Sequence, residues 1–251
     1  MESTFILCFS GLLGLLIGSF LNVVIYRLPK MLLETEKFNL ALPHSHCTEC
    51  KSPLAWYENI PLLSYALQMG KCRHCRVMIH WRYPFVEFLT FSSSLIVAIR
   101  FPELSTLIPA LVFTWLIIPL AFIDIEYQLL PNRLTYLLLL AGLITNYFHI
   151  FCSFKSAIIG AVSGYLVFWL IAFLYKKIRK IDGLGGGDIK LLAALGAWLG
   201  WQILPSVIFF SSVITLIFMI GGLLTKRLRY QSRVSFGPFL ILTGWLLLLL
   251  A

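Results

Sequence analysis

The stretch FILCFSGLLGLLIGSFLNVVIY, residues 5–26, runs for 22 residues without an Asp, Glu, Lys or Arg. A bilayer's hydrocarbon core is about 30 Å thick and a helix rises about 1.5 Å per residue, so this run is long enough to cross it once. It has no basic start and no small-residue cleavage pattern before Arg27, and so reads as a permanent span and not a secretory signal. Seven further apolar runs follow, at 83–100, 104–123, 134–151, 157–175, 190–204, 206–224 and 237–251. Only Pro205 and its neighbours separate 190–204 from 206–224, which read as two spans or as one re-entrant element. The expected fold is an all-α polytopic membrane protein of about eight transmembrane helices. Its parts are a first span at 1–26, a polar loop domain at 27–82 and a membrane core at 83–251.

The composition agrees. Of 251 residues, 59% are hydrophobic and 12% charged, which is too apolar for an ordinary soluble domain. The formal charge of +9 would suit nucleic acid, but the basic residues are parcelled out between apolar runs instead of sharing one globular face, and a nucleic-acid partner is not expected. Eighteen of the 20 Lys and Arg fall in 27–82, 124–133, 176–190 and 225–236; Arg100 and Lys155 occupy the alternate connections. The positive-inside rule makes the first set cytosolic and puts both chain ends outside. The basic face would set topology and touch anionic lipid.

Segment 27–82 is too short to fold on a hydrophobic core alone and would gain from a metal. It holds two CxxC pairs, Cys47/Cys50 and Cys72/Cys75, with 21 residues between them. Each pair can grip one edge of a tetrahedral site, and four thiolates closing a structural zinc ion account best for them in a reducing compartment. A thioredoxin-like redox motif would need a βαβ context, which is missing. His44, His46, His74 and His80 crowd the same loop as substitute ligands or surface residues. Four thiolates leave no open coordination position, so such a metal would hold shape and not activate water. The remaining cysteines, Cys8 and Cys152, read as buried packing residues. No internal repeat is evident.

Charged groups in or beside spans are costly and suggest function or pairing. Asp124 follows the apolar Leu120-Ala121-Phe122-Ile123, before the chain breaks at Leu130-Pro131-Asn132. Asp188 ends Gly185-Gly186-Gly187-Asp188 and precedes Leu191-Leu192-Ala193-Ala194, where it is also placed to cap a helix. In the topology above both aspartates lie at the cytosolic edge. Two carboxylates a few ångströms apart share one proton and divide acid and base duties, the arrangement of aspartic proteases. The competing reading makes them boundary residues, one a cap and one paired with Lys190 or Arg133. A proton-coupled transporter would also use carboxylates, though near the midplane. A zinc-ribbon scaffold without catalysis would need only the cysteines.

The residues Gly18-Ser19-Phe20-Leu21-Asn22-Val23-Val24-Ile25-Tyr26-Arg27-Leu28-Pro29, the paired CxxC motifs, Asn59-Ile60-Pro61-Leu62-Leu63-Ser64-Tyr65, Gly70-Lys71 before Cys72, Tyr83-Pro84 with Glu87, Asp124 with Leu129-Leu130-Pro131, and Gly185 through Leu191 together closely resemble the bacterial type IV prepilin peptidases. The resemblance covers nearly the whole chain. It implies a bifunctional inner-membrane enzyme that removes the basic leader of type IV prepilins or type II secretion pseudopilins and then methylates the new amino terminus with S-adenosylmethionine. By motif, Asp124 and Asp188 would be the protease pair, Gly185, Gly186, Gly187 and Asp188 the GxGD element, and Cys47, Cys50, Cys72 and Cys75 the zinc ligands that support methylation. The methyl donor's pocket is not readable; Gly18 and Glu87 are candidates for methyl transfer, against helix packing for Gly18 and pairing with Arg82 for Glu87. Glu126 or Asp182 would meet the basic leader. Asn132 stands where many members carry an aspartate, and His44-Ser45-His46 replaces a common arginine-serine pair. The oligomeric state is left open.

Overall fold

The computed structural model describes residues 2–33, 39–40, 45–180, 185–226 and 234–250. Among the described residues all regular structure is helical, apart from two isolated β-bridges, His46 to Pro53 and Lys71 to Met78. The chain forms two compact units, Met1–Leu107 and Ile108–Ala251.

The first unit contains α1 (Glu2–Leu33), a 3-10 turn (Trp56–Asn59), α2 (Leu63–Leu67) and α3 (Arg82–Arg100). Helix α1 outruns its apolar stretch by seven residues, carrying Arg27, Pro29 and Lys30. Arg27 is buried and donates to the carbonyls of Asn39 and Leu40 at 3.1 and 3.2 Å, so the extension is held by charge-assisted hydrogen bonds in place of lipid contact. Helices α1 and α3 pack closely along small residues. A Cβ at Gly14 would lie 2.6 Å from Ser94 Oγ, and one at Gly18 would lie 2.9 Å from Glu87 Cα. Gly18 thus serves the helix-packing reading directly, by letting two backbones approach.

The second unit contains α4 (Leu104–Tyr127, whose first turn holds the break between units), α5 (Asn132–Tyr147), α6 (Phe154–Arg179), α7 (Gly186–Leu199), α8 (Leu204–Leu224) and α9 (Gly237–Leu250). Helix α7 is its core: Ile189 and every residue from Leu191 to Leu199 are buried. Helix α6 crosses it where Gly160 meets Gly196, a Cβ on Gly160 falling 2.3 Å from the Gly196 carbonyl oxygen. Trp198, fully buried, donates from Nε1 to Leu138 O at 2.7 Å and packs on Phe113 with ring centroids 4.9 Å apart. A helix end leaves four carbonyls without intrahelical partners, and here a buried asparagine answers two of them. Asn146 Nδ2 donates to Ala197 O and Trp198 O at 2.8 and 2.9 Å, while its Oδ1 accepts from the amides of Phe151 and Cys152 at 3.1 Å. Asn146→Leu strands these groups in an apolar interior. The expected cost is about 3 kcal/mol, read as a lowered thermal midpoint in detergent.

Each of the eight apolar runs coincides with a helix, but among the described residues four of those helices are both long and apolar enough to cross a membrane: Thr4–Leu33, Leu104–Tyr127, Phe154–Arg179 and Leu204–Leu224. Helix α3 is diluted by Arg82, Glu87, Thr90 and Ser92 to Ser94. Helices α5, α7 and α9 have 16, 14 and 14 residues. At about 1.5 Å per residue, α7 spans roughly 21 Å, less than a full hydrocarbon core. Lacking lipid contact, it does not need the full length, since its backbone groups are satisfied within protein. Runs 190–204 and 206–224 are separate helices, split by a turn at Gly200, whose φ of 79° favours glycine. Large side chains stay exposed along α6 and α8, among them Leu166, Trp169, Phe209 and Phe218, a surface suited to lipid and not to water. Cys8 faces outward, against the expectation of burial, and Cys152 is half-buried. In an apolar surrounding a small thiol gains nothing by facing inward, so hydropathy cannot assign its side.

Candidate functional site

Helix α4 carries Asp124 in its last turn, and α7 carries Asp188 in its first. They meet at the start of α9. A Cβ built on Gly237 would lie 2.5 Å from Asp124 Oδ2 and 3.4 Å from Asp188 Oδ1. The two oxygens are therefore within about 6 Å of each other, the reach over which like charges perturb one another. Asp124 is 6% exposed, and its Oδ2 has no hydrogen-bond partner among the described residues. Ser235 Oγ donates to the Asp124 carbonyl at 2.8 Å, tying the segment before α9 to the end of α4.

The sequence places Asp188 as a possible helix cap. The cap is Gly185 instead, with no side-chain bond, and the Asp188 amide donates to Gly185 O at 3.1 Å. Asp188 is thus a first-turn residue, where the helix dipole favours negative charge. Of the two cations that the competing boundary reading would pair with an aspartate, Lys190 and Arg133, Lys190 donates from Nζ to Asn132 Oδ1 at 2.8 Å. The three glycines before Asp188 differ sharply. A Cβ on Gly187 would fall 2.7 Å from Leu130 Cβ, and one on Gly185 3.2 Å from Asp188 Oδ2, whereas Gly186 has nothing within 4 Å. Leu130, from the turn after α4, thereby seats the glycine loop. Gly187→Ala is expected to lower stability by about 1–3 kcal/mol and reduce activity, while Gly186→Ala is tolerated, which thermal melts and activity assays of the two variants would check.

The four cysteines of the first unit converge: the sulfurs of Cys47, Cys50, Cys72 and Cys75 lie within 4.8 Å of one another, with Cys47 and Cys75 at 3.8 Å. Tetrahedral zinc with Zn–S bonds of about 2.3 Å needs sulfurs about 3.8 Å apart, so the set fits after small adjustment. No histidine joins this group among the described residues; His80 Nδ1 instead accepts from the Arg82 amide at 3.2 Å, and His44 lies outside the described residues. The two pairs fold alike. Lys51 N donates to Cys47 O and Cys47 N to Ser52 O; Arg76 N donates to Cys72 O and Cys72 N to Val77 O, all between 2.8 and 3.0 Å. Lys51 and Arg76 hold matching φ of 56° and 61°. These are two copies of one turn, an internal repeat legible in the sequence only as cysteine spacing; the C-x-x-C-Lys/Arg pattern was its signal. Hydrogen bonds from the Ser52 hydroxyl and amide bring the Cys50 thiol down to about 6, and the amides of Cys75 and His74 lower Cys72. The Val77 amide favours the Cys75 thiolate, but desolvation and the neighbouring sulfurs push it up to about 11. Ionising all four sulfurs at this spacing would take a cation between them.

Glu87, on α3, is tied to the loop: its Oε2 accepts from the Leu62 amide at 2.8 Å. Leu62 holds a φ of 59°, a strained turn that this carboxylate secures. Beside it, Asn22 Nδ2 donates to Tyr83 O at 3.0 Å while its buried Oδ1 has no partner among the described residues. Glu126 is exposed at the end of α4, and Asp182 lies outside the described residues. Sequence reasoning missed Ser235 and Gly237, and named Leu130 only in the chain break and the family motif; the Gly237-Pro238 start of an apolar run was the available signal.

A model of the bacterial peptidase A24 N-terminal domain matches residues 12–101, inside the first unit, and one of the type IV leader peptidase family matches residues 111–220, inside the second. The prepilin leader peptidase/N-methyltransferase of Aeromonas hydrophila is 44% identical over 95% of this chain and 88% of its own. Its namesake in Pseudomonas aeruginosa is 43% identical over 98% and 90%, and that of Dichelobacter nodosus 42% identical over 95% and 89%. No solved structure matches. With both domain models in place and such identity along almost its full length, the chain belongs to the type IV leader peptidase family.

Proposed function

We propose that this chain is a bifunctional bacterial membrane enzyme that removes the leader of type IV prepilins, or of related pseudopilins, with Asp124 and Asp188 and methylates the amino terminus so exposed. The observation that carries the peptidase half is the meeting of the two carboxylates against the Gly237 α-carbon. A buried and a half-buried carboxylate this close are cheapest with one proton between them. The ionised one removes a proton from water as its oxygen attacks the scissile carbonyl. The protonated one donates to the developing oxyanion and then passes its proton to the departing amine. The first turn of α7 and the start of α9 favour negative charge at the pair.

The methyl-transfer half belongs to the first unit. S-adenosylmethionine supplies the methyl group from its sulfonium when bound. The Glu87 carboxylate and the unpartnered Asn22 Oδ1 suit a cationic donor or the ammonium to be methylated, and Glu87 is placed to take the proton that the ammonium loses. Gly18, packed on Glu87, shapes the same seam. The four cysteines hold a structural zinc ion that fixes the loop in front of it. Lys and Arg distribution supports an inner-membrane topology with the cysteine loop and both aspartates cytosolic and the basic face against anionic lipid. The test is incubation of the membrane-embedded protein with a type IV prepilin, scoring leader loss and a methyl mass increment together. A protein that leaves both unchanged would refute the reading.

A further inference from the structure

Glycine is needed where the backbone takes a positive φ or where a side chain would not fit. Among the described glycines only Gly70 and Gly200 have positive φ. Gly237, the first residue of α9, has a backbone any L-residue adopts, so its reason is space. What fills that space is unusual. The Cβ missing from Gly237 would sit 2.5 Å from Asp124 Oδ2, 3.2 Å from Asp124 Cγ and 3.4 Å from Asp188 Oδ1. The nearby Gly244 offers a contrast on the same helix, since its Cβ would meet only the flexible end of Leu195, at 2.8 Å. Gly237 is also pinned: it is buried, and Ser235 two residues earlier donates to the Asp124 carbonyl at 2.8 Å.

We propose that Gly237 is a positioning residue of the peptidase centre, its bare α-carbon keeping open the gap between the Asp124 and Asp188 carboxylates into which the scissile peptide and the attacking water must enter. The proposal rests on the reading of these aspartates as the cutting pair. It makes the start of α9 the third wall of the centre, beside α4 and α7. A methyl at this point drives the Asp124 carboxylate away from its partner. Short aspartate side chains cannot fold aside as Leu195 can.

The experiment compares Gly237→Ala, Gly244→Ala, Asp124→Asn and wild type as purified full-length protein, on a type IV prepilin. Each is also given a pilin already lacking its leader, for methyl transfer. Gly237→Ala is expected to lower kcat roughly a hundredfold, the scale of a 1 Å misplacement, with KM within about twofold. Its methyl transfer and thermal midpoint should match wild type, and Gly244→Ala should cleave normally. Cleavage by Gly237→Ala within about threefold of wild type, with Asp124→Asn inactive, overturns the proposal alone. Loss of cleavage and methyl transfer together, with a lowered midpoint, overturns it as well by making Gly237 a folding residue. Normal cleavage by Asp124→Asn overturns both this proposal and the aspartate reading beneath it.

Discussion

Asp124→Asn or Asp188→Asn is expected to reduce leader removal by on the order of 10⁴-fold, about 5 kcal/mol of transition-state stabilisation, while methyl transfer to a pre-cleaved pilin persists. Asparagine keeps the shape of the carboxyl and removes its ability to hold or release the shared proton. The two oxygens sit at one α-carbon, so the residues act as a unit and the double variant should be barely worse than either single one. Folding should not suffer. Asp124 Oδ2 lacks a partner among the described residues, so an amide there loses no hydrogen bond, and a neutral amide removes the carboxylate repulsion that makes the pair share a proton. Quantitative cleavage of a prepilin by purified variants decides the matter. Additive losses would mean two independent roles, and normal cleavage would end the aspartyl mechanism.

The second large effect concerns the cysteine loop. Between α1 and α3 the buried side chains among the described residues are Glu58 and Cys72, and α2 buries none. Such a segment has little apolar burial to hold it, and on the proposed reading the metal supplies its folding energy, for which structural zinc offers about 10–16 kcal/mol in small peptides. Changing all four cysteines to Ser, or stripping zinc with a strong chelator, should open the loop to proteolysis and abolish methyl transfer. Leader cleavage should stay within about threefold, since the aspartate pair draws on the second unit. Metal analysis should give one zinc per wild-type chain and none in the variant. A wild-type chain without zinc, or equal loss of both activities, would contradict this account.

How much of this the sequence disclosed depends on the kind of signal. Apolar runs mark helices because length and hydropathy are additive along the chain, and every run holds one. Helix ends were less legible: α1 continues through Pro29 because Arg27 finds carbonyls of Asn39 and Leu40, a contact no local window contains. Which side of an apolar helix faces protein was not legible at all, as Cys8 shows, since lipid and core reward the same residues. The cysteine cluster could be read because four identical side chains at CxxC spacing, in a loop read as cytosolic, suit little besides a metal. The convergence of Asp124 with Asp188, 64 positions away, rested on topology and on the family resemblance; the structure adds the geometry, through Gly237. That residue escaped notice because glycine before proline at a helix start is ordinary, and its meaning lies in neighbours from two other helices.

Helices α7 and α8 are both strongly apolar, yet one is sheathed by protein and the other is only 11% buried over its most apolar stretch. Over generations of mutation they will therefore drift at different rates. On α8, exchanges among leucine, isoleucine, phenylalanine and valine touch little but lipid, so its identity can wander while its class is kept. On α7, Ala193 and Gly196 lie against the backbone at Gly164 and Gly160, and enlarging either must be answered by a change across the seam. Substitutions there should arrive in pairs, α7 with α5 or α6, and a record of paired changes would trace the inner helix without any coordinates.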